Sequence, residues 1–397
     1  MCSQTQNQPQ NQPQTQINDV PEFTYRLAMA PGIGPATWTA LRHTFGDDRA
    51  ICHASIHELM HADGVGHKRA VMIHDAVRAA DVDADRDLCR QFGVELVLRD
   101  DSRYPAMLAP HEDAPMALWV RGEFISEDAV AVAIVGSRKC TAYGRLQAGR
   151  FSTMLAEAGM VIVSGGALGI DGEAHHGALR IGGRTIAVLG CGMSKPYPRD
   201  HGRLFDRIAA SNGVVISEHP MLTPPRAVNF PRRNRLIAGL SLGVIVIEAS
   251  LRSGALITAR LAAESYGREV MALPGRVDSP ASAGCLALLR DGGATMVRDV
   301  GDVLEELKNS GHLIRGVFEV RDAENAPPAN SPAWTSMRPE QRAVLELLAE
   351  VGAPLLPDAI ASRLDRPLPA VMADLTALEL SGVLARDHRG LQLRRGR

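Results

Sequence analysis

The chain has 397 residues, 45% hydrophobic and 22% charged, with a formal net charge of −2 and a pI near 6.7. That length holds two to three domains and a sizeable core. The near-neutral balance excludes bulk electrostatic attraction to nucleic acid, so any affinity for anions must come from a local patch.

The six cysteines (Cys2, Cys52, Cys89, Cys140, Cys191, Cys285) are scattered without C-x-x-C pairing. Such spacing argues against zinc ligation and a disulfide framework and suits a reducing, cytoplasmic setting. Residues 1–20, opening "MCSQTQNQPQNQPQTQ", are Gln/Asn/Pro-rich and lack the apolar stretch of a signal peptide; they are expected to form a disordered tail. No uncharged apolar run reaches the 18 residues of a membrane span.

Residues 21–85 read as a helical domain. "APGIGPATWTALRHTFG" and "ADGVGHKRAVMIHDAV" each put a Gly-x-Gly turn before an amphipathic run. This is either a SAM-like or helix-hairpin-helix arrangement, whose helix N-termini can meet a phosphate, or a small bundle in which the turns merely connect helices. His53, His57 and His61 recur at every fourth position and would share a face of one helix. They read as surface histidines rather than a metal site, because no carboxylate or cysteine completes a ligand set.

From 88 to 310 strand and helix patterns alternate. The strand candidates are "ELVLR", "AVAVAIVG", "MVIVSG", "RTIAVLG", "GVVIS", "GVIVIEA", "REVMALPG" and "ATMV", separated by helical runs such as Tyr143–Ala158, Gly172–Arg180 and Leu256–Ser265. Short continuous apolar strands between helices predict an α/β fold: a Rossmann-like, doubly wound, mostly parallel sheet covered on both faces. Ligands of such sheets bind beyond the carboxyl ends of the strands.

The chemistry-bearing residues fall at those ends. "AIVGSRKCTAYGR" turns at Gly136, Ser137 and Arg138, without the G-x-G-x-x-G of a dinucleotide site. "VSGGALGIDGEAHHGAL" offers Ser164, Gly165 and Gly166 as an anion-binding turn. Asp171 and His175 there read as a capping carboxylate and a packed imidazole, or as an acid–base pair. "GCGMSKPYPRD" adds Lys195 and Tyr197, and "NFPRRNRLIAGLS" crowds Arg232, Arg233 and Arg235 with no acidic neighbour. "LRSGALITA" supplies Ser253, Gly254 and Thr258. No nucleophile elbow, Walker lysine, paired metal carboxylates or Cys–His couple accompanies them. The set suits binding of a phosphate-rich ligand better than catalysis.

Residues 316–332, "GVFEVRDAENAPPANSP", read as a linker. Residues 333–397 then give three helices and a short hairpin, a winged-helix order with Leu368–Ser381 as recognition helix. That helix carries Asp374 and Glu379 and few groups that read bases, which favours protein contact as much as groove reading. The basic wing and tail (Arg386, Arg389, Arg394, Arg395, Arg397) would be left for phosphates.

In order along residues 110–300, "GSRKCTAYGR", "SGGALGIDGEAHHGAL", "GCGMSKPYP", "NFPRRNRLIAGLS", "EASLRSGALITA" and "LPGRVDSPASAGCLALLRDGGA" resemble the DprA/Smf family of DNA-processing proteins. The resemblance implies a non-enzymatic, sequence-independent single-stranded-DNA-binding protein, usually a homodimer and without a cofactor. It would protect incoming strands, load the RecA recombinase onto them during natural transformation and recombination, and help displace single-strand-binding protein. Carried over, the DNA pocket would use Gly136, Ser137, Arg138, Ser164, Gly165, Gly166, Lys195, Asn229, Phe230, Arg233, Asn234 and Arg235. Ser253, Gly254 and Thr258 would line the adjoining turn, with Phe230 and Tyr197 as stacking surfaces. Arg233 and Arg235 are expected to face the DNA and Arg232 to be ordinary surface charge. Cys285, Leu286 and Leu289 would be dimer contacts.

Two rival readings come from other classes. One is a phosphoribohydrolase-like Rossmann enzyme, from whose P-G-G-x-G-T loop "LPGRVDS" departs. The other is a winged-helix regulator that binds double-stranded DNA.

Overall fold

The computed structural model describes residues 20–308, 337–351, 353–380, 383–387 and 390–393. The tail up to residue 19, the linker at 316–332 and the basic residues Arg389, Arg394, Arg395 and Arg397 lie outside them.

Six helices open the chain: α1 (Glu22–Met29), α2 (Pro35–Phe45), α3 (Asp48–His53), α4 (Ile56–Leu59), α5 (His67–Ala79) and α6 (Val82–Phe92). Local chemistry sets their starts. Pro35 occupies the first turn of α2, where its missing N–H costs nothing. Asp47 caps α3, and Ser55 with Glu58 forms a capping box on α4. Trp38, Leu41, Ile51, Leu59 and Ile73 close a small core among them. The single histidine stripe does not form, because α3 ends at His53 and Ser55 starts a new helix. Only His57 and His61 pair, their rings 5.1 Å apart. Among the described residues no group of His, Cys, Asp and Glu is placed to hold a metal.

Nine strands then build one sheet: β1 (Val94–Leu98), β2 (Ala117–Arg121), β3 (Ala131–Val135), β4 (Val161–Ser164), β5 (Thr185–Leu189), β6 (Val214–Ser217), β7 (Gly243–Val246), β8 (Glu269–Ala272) and β9 (Thr295–Met296). Their order is β1-β2-β6-β5-β4-β3-β7-β8-β9. Pairing is parallel from β6 to β9, while β2 runs antiparallel to both β1 and β6. Strand β2, "ALWVR", is absent from the sequence expectation; five residues just after Pro115 carry little pattern.

The intervening helices are α7 (Ala142–Glu157), α8 (Ile170–Arg180), α9 (Gly202–Ala210), α10 (Asn229–Gly239), α11 (Gly254–Tyr266), α12 (Ala283–Arg290) and α13 (Val300–Lys308). Strand β3 shows why its sequence is apolar throughout. Ala131, Ala133 and Val135 face the core shared with α10 and α11, and Val132 and Ile134 face the one shared with α7 and α8. Both faces are covered, so no polar alternation survives. From β3 the order runs outward through β4, β5 and β6 on one side and through β7, β8 and β9 on the other. The crevice between the ends of β3 and β7 is therefore the topological switch point.

The C-terminal part has helices α14 (Pro339–Val351), α15 (Pro357–Arg363) and α16 (Leu368–Leu380) and the antiparallel pair β10 (Leu384–Asp387) and β11 (Gly390–Leu393). Val344, Leu345, Ile360, Leu375 and Leu391 form its own core. Asp374, an acid on the recognition helix by sequence, is buried and accepts from Arg338 at 2.7 Å and Arg366 at 2.5 Å. Arg338 also donates to the carbonyl of Glu157 at the end of α7, pinning this part to the sheet domain. Among the described residues no helix is long and apolar enough to cross a membrane.

Candidate functional site

An open cleft of about 900 Å³ lies at the switch point. Segments after six strands contribute to it: Gly136, Ser137, Arg138 and Lys139 after β3, Ala167 and, in the first turn of α8, Asp171 after β4, Tyr197 after β5, Pro225 after β6, Ser250 and Ser253 after β7, and Pro280 after β8. Phe230, Arg233 and Asn234 of α10 and Gly254 and Thr258 of α11 complete the wall.

Hydrogen bonds to Glu248 hold the β3 loop in place. Glu248, just past β7 and 3% exposed, accepts from the Thr141 N–H at 2.8 Å and the Thr141 hydroxyl at 2.5 Å. Its carbonyl accepts the Ser137 N–H at 2.7 Å. Gly144 is required one turn on, because a Cβ there would stand 2.2 Å from the Glu248 carboxylate. Gly169, at φ +81°, is required in the next loop, because a Cβ there would stand 2.4 Å from the Ser137 carbonyl oxygen. Sequence reasoning missed these supporting roles; the two glycines were its only trace, and neither names its neighbour.

The floor of the cleft carries two buried ionisable groups. Arg233 is 3% exposed and donates through Nη1 to the carbonyls of Gly165 and Val188, while its Nε has no partner. Burial pulls its guanidinium down to about 10, with Asp171 acting the other way, so it keeps its charge at neutral pH. Asp171 is pushed up by burial and held back by Arg233 and by the N–H groups of Ala167 and Gly136. The N-cap of α8 is Gly169, so Asp171 sits inside the first turn rather than capping it. His175 is no acid–base partner. It is fully buried, its Nδ1 meets the Thr185 hydroxyl at 2.7 Å, and burial lowers it to about 3.

At the mouth the Arg138 guanidinium lies 5.1 Å from the centre of the Phe230 ring, and Tyr197 packs on the same ring at 5.5 Å. This cation–aromatic–aromatic stack presents charge and π-surface side by side. Arg138, Lys139 and Tyr197 are exposed, and Phe230 is half-buried.

Other expected residues are placed differently. Ser164 is buried and donates to the Ile134 carbonyl at 2.7 Å. Gly165 and Gly166 lie behind Arg233 and Phe205, so this turn buttresses the arginine and does not line the cleft. Arg235 points elsewhere and pairs with Glu218, whereas Arg232, expected to be ordinary surface charge, is exposed. Lys195 is exposed beside the cleft but outside its lining. Asn229 begins α10, 8% exposed, and Asn234 donates to the Gly254 carbonyl at 3.3 Å, joining α10 to α11. Ser253 caps α11, and Thr258 is buried one turn in. Of the expected dimer contacts, Cys285 is 1% exposed with its thiol on the Val246 carbonyl, so it is core; Leu286 and Leu289 are half-buried.

Residues 95–308 match the family described as DNA recombination-mediator protein A. Residues 25–79 match a SAM-like helix-hairpin-helix tandem, and 324–388 match the DprA winged helix domain. Protein Smf of Escherichia coli is 41% identical over 295 residues, 73% of this chain and 75% of that one. The DNA processing protein DprA of Bacillus subtilis is 38% identical over 219 residues, 55% of this chain and 73% of that one. The crystal structure of DNA processing protein A from Streptococcus pneumoniae superposes with a TM-score of 0.60 at 34% identity, covering 72% of this chain and 98% of that one.

Proposed function

Because the chain belongs to the DNA recombination-mediator protein A family, we propose that its cleft binds single-stranded DNA without regard to sequence. The observation that carries this reading is Arg233, a guanidinium 3% exposed that opens on the same cleft as the exposed Arg138. A buried cation is costly until an anion meets it, and a backbone phosphate supplies that anion identically at every nucleotide. The Phe230–Tyr197 pair suits an unstacked base, which a duplex does not offer.

On the same reading the chain protects incoming single strands, loads RecA onto them in natural transformation and recombination, and aids exchange with single-strand-binding protein. It works in the cytoplasm as a binding protein rather than an enzyme. Two copies would offer two clefts to one strand and gain avidity. The winged helix would contact duplex DNA or a protein. The family description, a recombination mediator, supports this direction.

Fluorescence anisotropy with single- and double-stranded oligonucleotides of one sequence tests the core claim. Preference for the single strand, with affinity declining with salt and weakened in Arg138→Ala, is expected. Equal affinity for duplex, or an unaltered variant, overturns the assignment.

A further inference from the structure

Asp85 belongs to α6 and lies outside the segments 25–79 and 95–308 that match family descriptions. It is 3% exposed. Its Oδ2 accepts the Tyr25 hydroxyl and the Trp119 indole N–H, each at 2.9 Å. Its Oδ1 accepts the backbone N–H of Met221 at 2.8 Å. One carboxylate thus joins α1, α6, β2 and the loop after β6.

The bonding continues beyond Met221. The Met221 carbonyl accepts from the Ser194 N–H at 3.2 Å and the Ser194 hydroxyl at 2.5 Å. The Thr223 carbonyl accepts the Gly192 N–H at 2.9 Å. Only glycine fits at 192, since a Cβ would stand 2.2 Å from the Met221 carbonyl oxygen. The loops after β5 and β6 are therefore zipped together. Three residues past Ser194 comes Tyr197, whose ring holds Phe230 at 5.5 Å beneath Arg138.

From this unbroken path we infer that Asp85 is a positioning residue for the cleft: through Met221 and Ser194 the N-terminal helices set where Tyr197 stands. The inference rests on the single-strand reading above for its consequence, but its geometry stands apart from any ligand. The carboxylate suits the task because the Tyr25 hydroxyl, the Trp119 indole, the Met221 N–H and, at 3.8 Å, the Cys89 thiol all donate to its two oxygens, which fixes the loop backbone rather than merely filling space. The helical domain then serves the site without touching the DNA.

The test uses the full chain with Asp85→Asn, Ser194→Ala and Tyr25→Phe. Asp85→Asn keeps the size but puts an amide N–H₂ group where one of the two accepting oxygens stood. Tyr25→Phe removes an Oδ2 partner and leaves the Oδ1 bond to Met221. In protein without DNA, Asp85→Asn and Ser194→Ala should speed hydrogen exchange at residues 192–194, and Tyr25→Phe should not. With an oligonucleotide carrying 2-aminopurine, the first two should bind about tenfold more weakly, the scale of one lost stacking contact, and lose the stacking quench. Tyr25→Phe should keep both. Unchanged exchange in Asp85→Asn and Ser194→Ala, or a Tyr25→Phe that matches them, overturns the inference. If Asp85→Asn fails to fold, Ser194→Ala alone decides it. If the parent fails to bind the oligonucleotide, the single-strand reading falls, and the exchange measurement still decides the path.

Discussion

Arg233 and Asp171 flank the backbone of Gly165 so closely that a Cβ there would stand 2.6 Å from Arg233 Nη2 and 2.7 Å from Asp171 Oδ2. The two side chains share the floor of the cleft without forming a direct ion pair, and the missing side chain of Gly165 is what lets both approach.

Gly165→Ala should therefore push the guanidinium from its seat on the Gly165 and Val188 carbonyls. Overpacking of this kind costs about 1–3 kcal/mol. Denaturant unfolding reads the loss, and anisotropy should show single-strand affinity falling with it. A variant of parental stability and affinity would refute the close approach.

Arg138→Ala and Phe230→Ala should weaken binding in different ways. Arg138 is exposed, so its loss should leave stability unchanged and reduce the salt slope by about 0.7 for one phosphate contact on a single strand. Phe230→Ala should cost about 1–3 kcal/mol of binding through lost stacking and leave the slope alone. Titrations across a salt series separate the two. Identical slopes for both variants would remove the division of roles.

Arg235→Ala should affect folding more than binding, because its partner Glu218 would be left half-buried and alone. Arg232→Ala should do the reverse weakly, as an exposed charge near the cleft. Thermal midpoints and anisotropy on both variants check the contrast, and a stable Arg235→Ala that loses binding contradicts it.

His175 should make the fold sensitive to acid. Thr185 spends its hydroxyl proton on the Ile162 carbonyl, so the imidazole donates from Nδ1 and is held neutral, with Nε2 unpartnered. Burial lowers it to about 3 in the fold, against about 6.5 in an unfolded chain. Below about pH 6.5 the unfolded state binds the proton and the fold does not. Stability is thus unaffected above that pH and falls by about 1.4 kcal/mol per unit beneath it. His175→Gln should flatten this acid limb in urea unfolding at stepped pH. Parallel curves for parent and variant would show that His175 is not the source.

By itself the sequence determined the α/β class, the winged helix and the small-residue turns at the strand ends. These depend on local period and turn chemistry, as the wholly apolar β3 and the Gly136–Arg138 loop show. It also identified Arg138, Phe230 and Arg233 among the residues at those ends. Strand β2 escaped it, being short and placed between distant partners β1 and β6.

Which arginine of "NFPRRNR" opens on the cleft was decided only by the tertiary structure. On a helix, neighbouring residues point about 100° apart, so Arg232, Arg233 and Arg235 must face different surroundings. Those surroundings come from elsewhere in the chain: Gly165 and Val188 for Arg233, and Glu218 for Arg235. The same holds for Asp85, whose partners lie 60, 34 and 136 residues away. A sequence shows which groups can bond, and only the packed chain shows which ones meet.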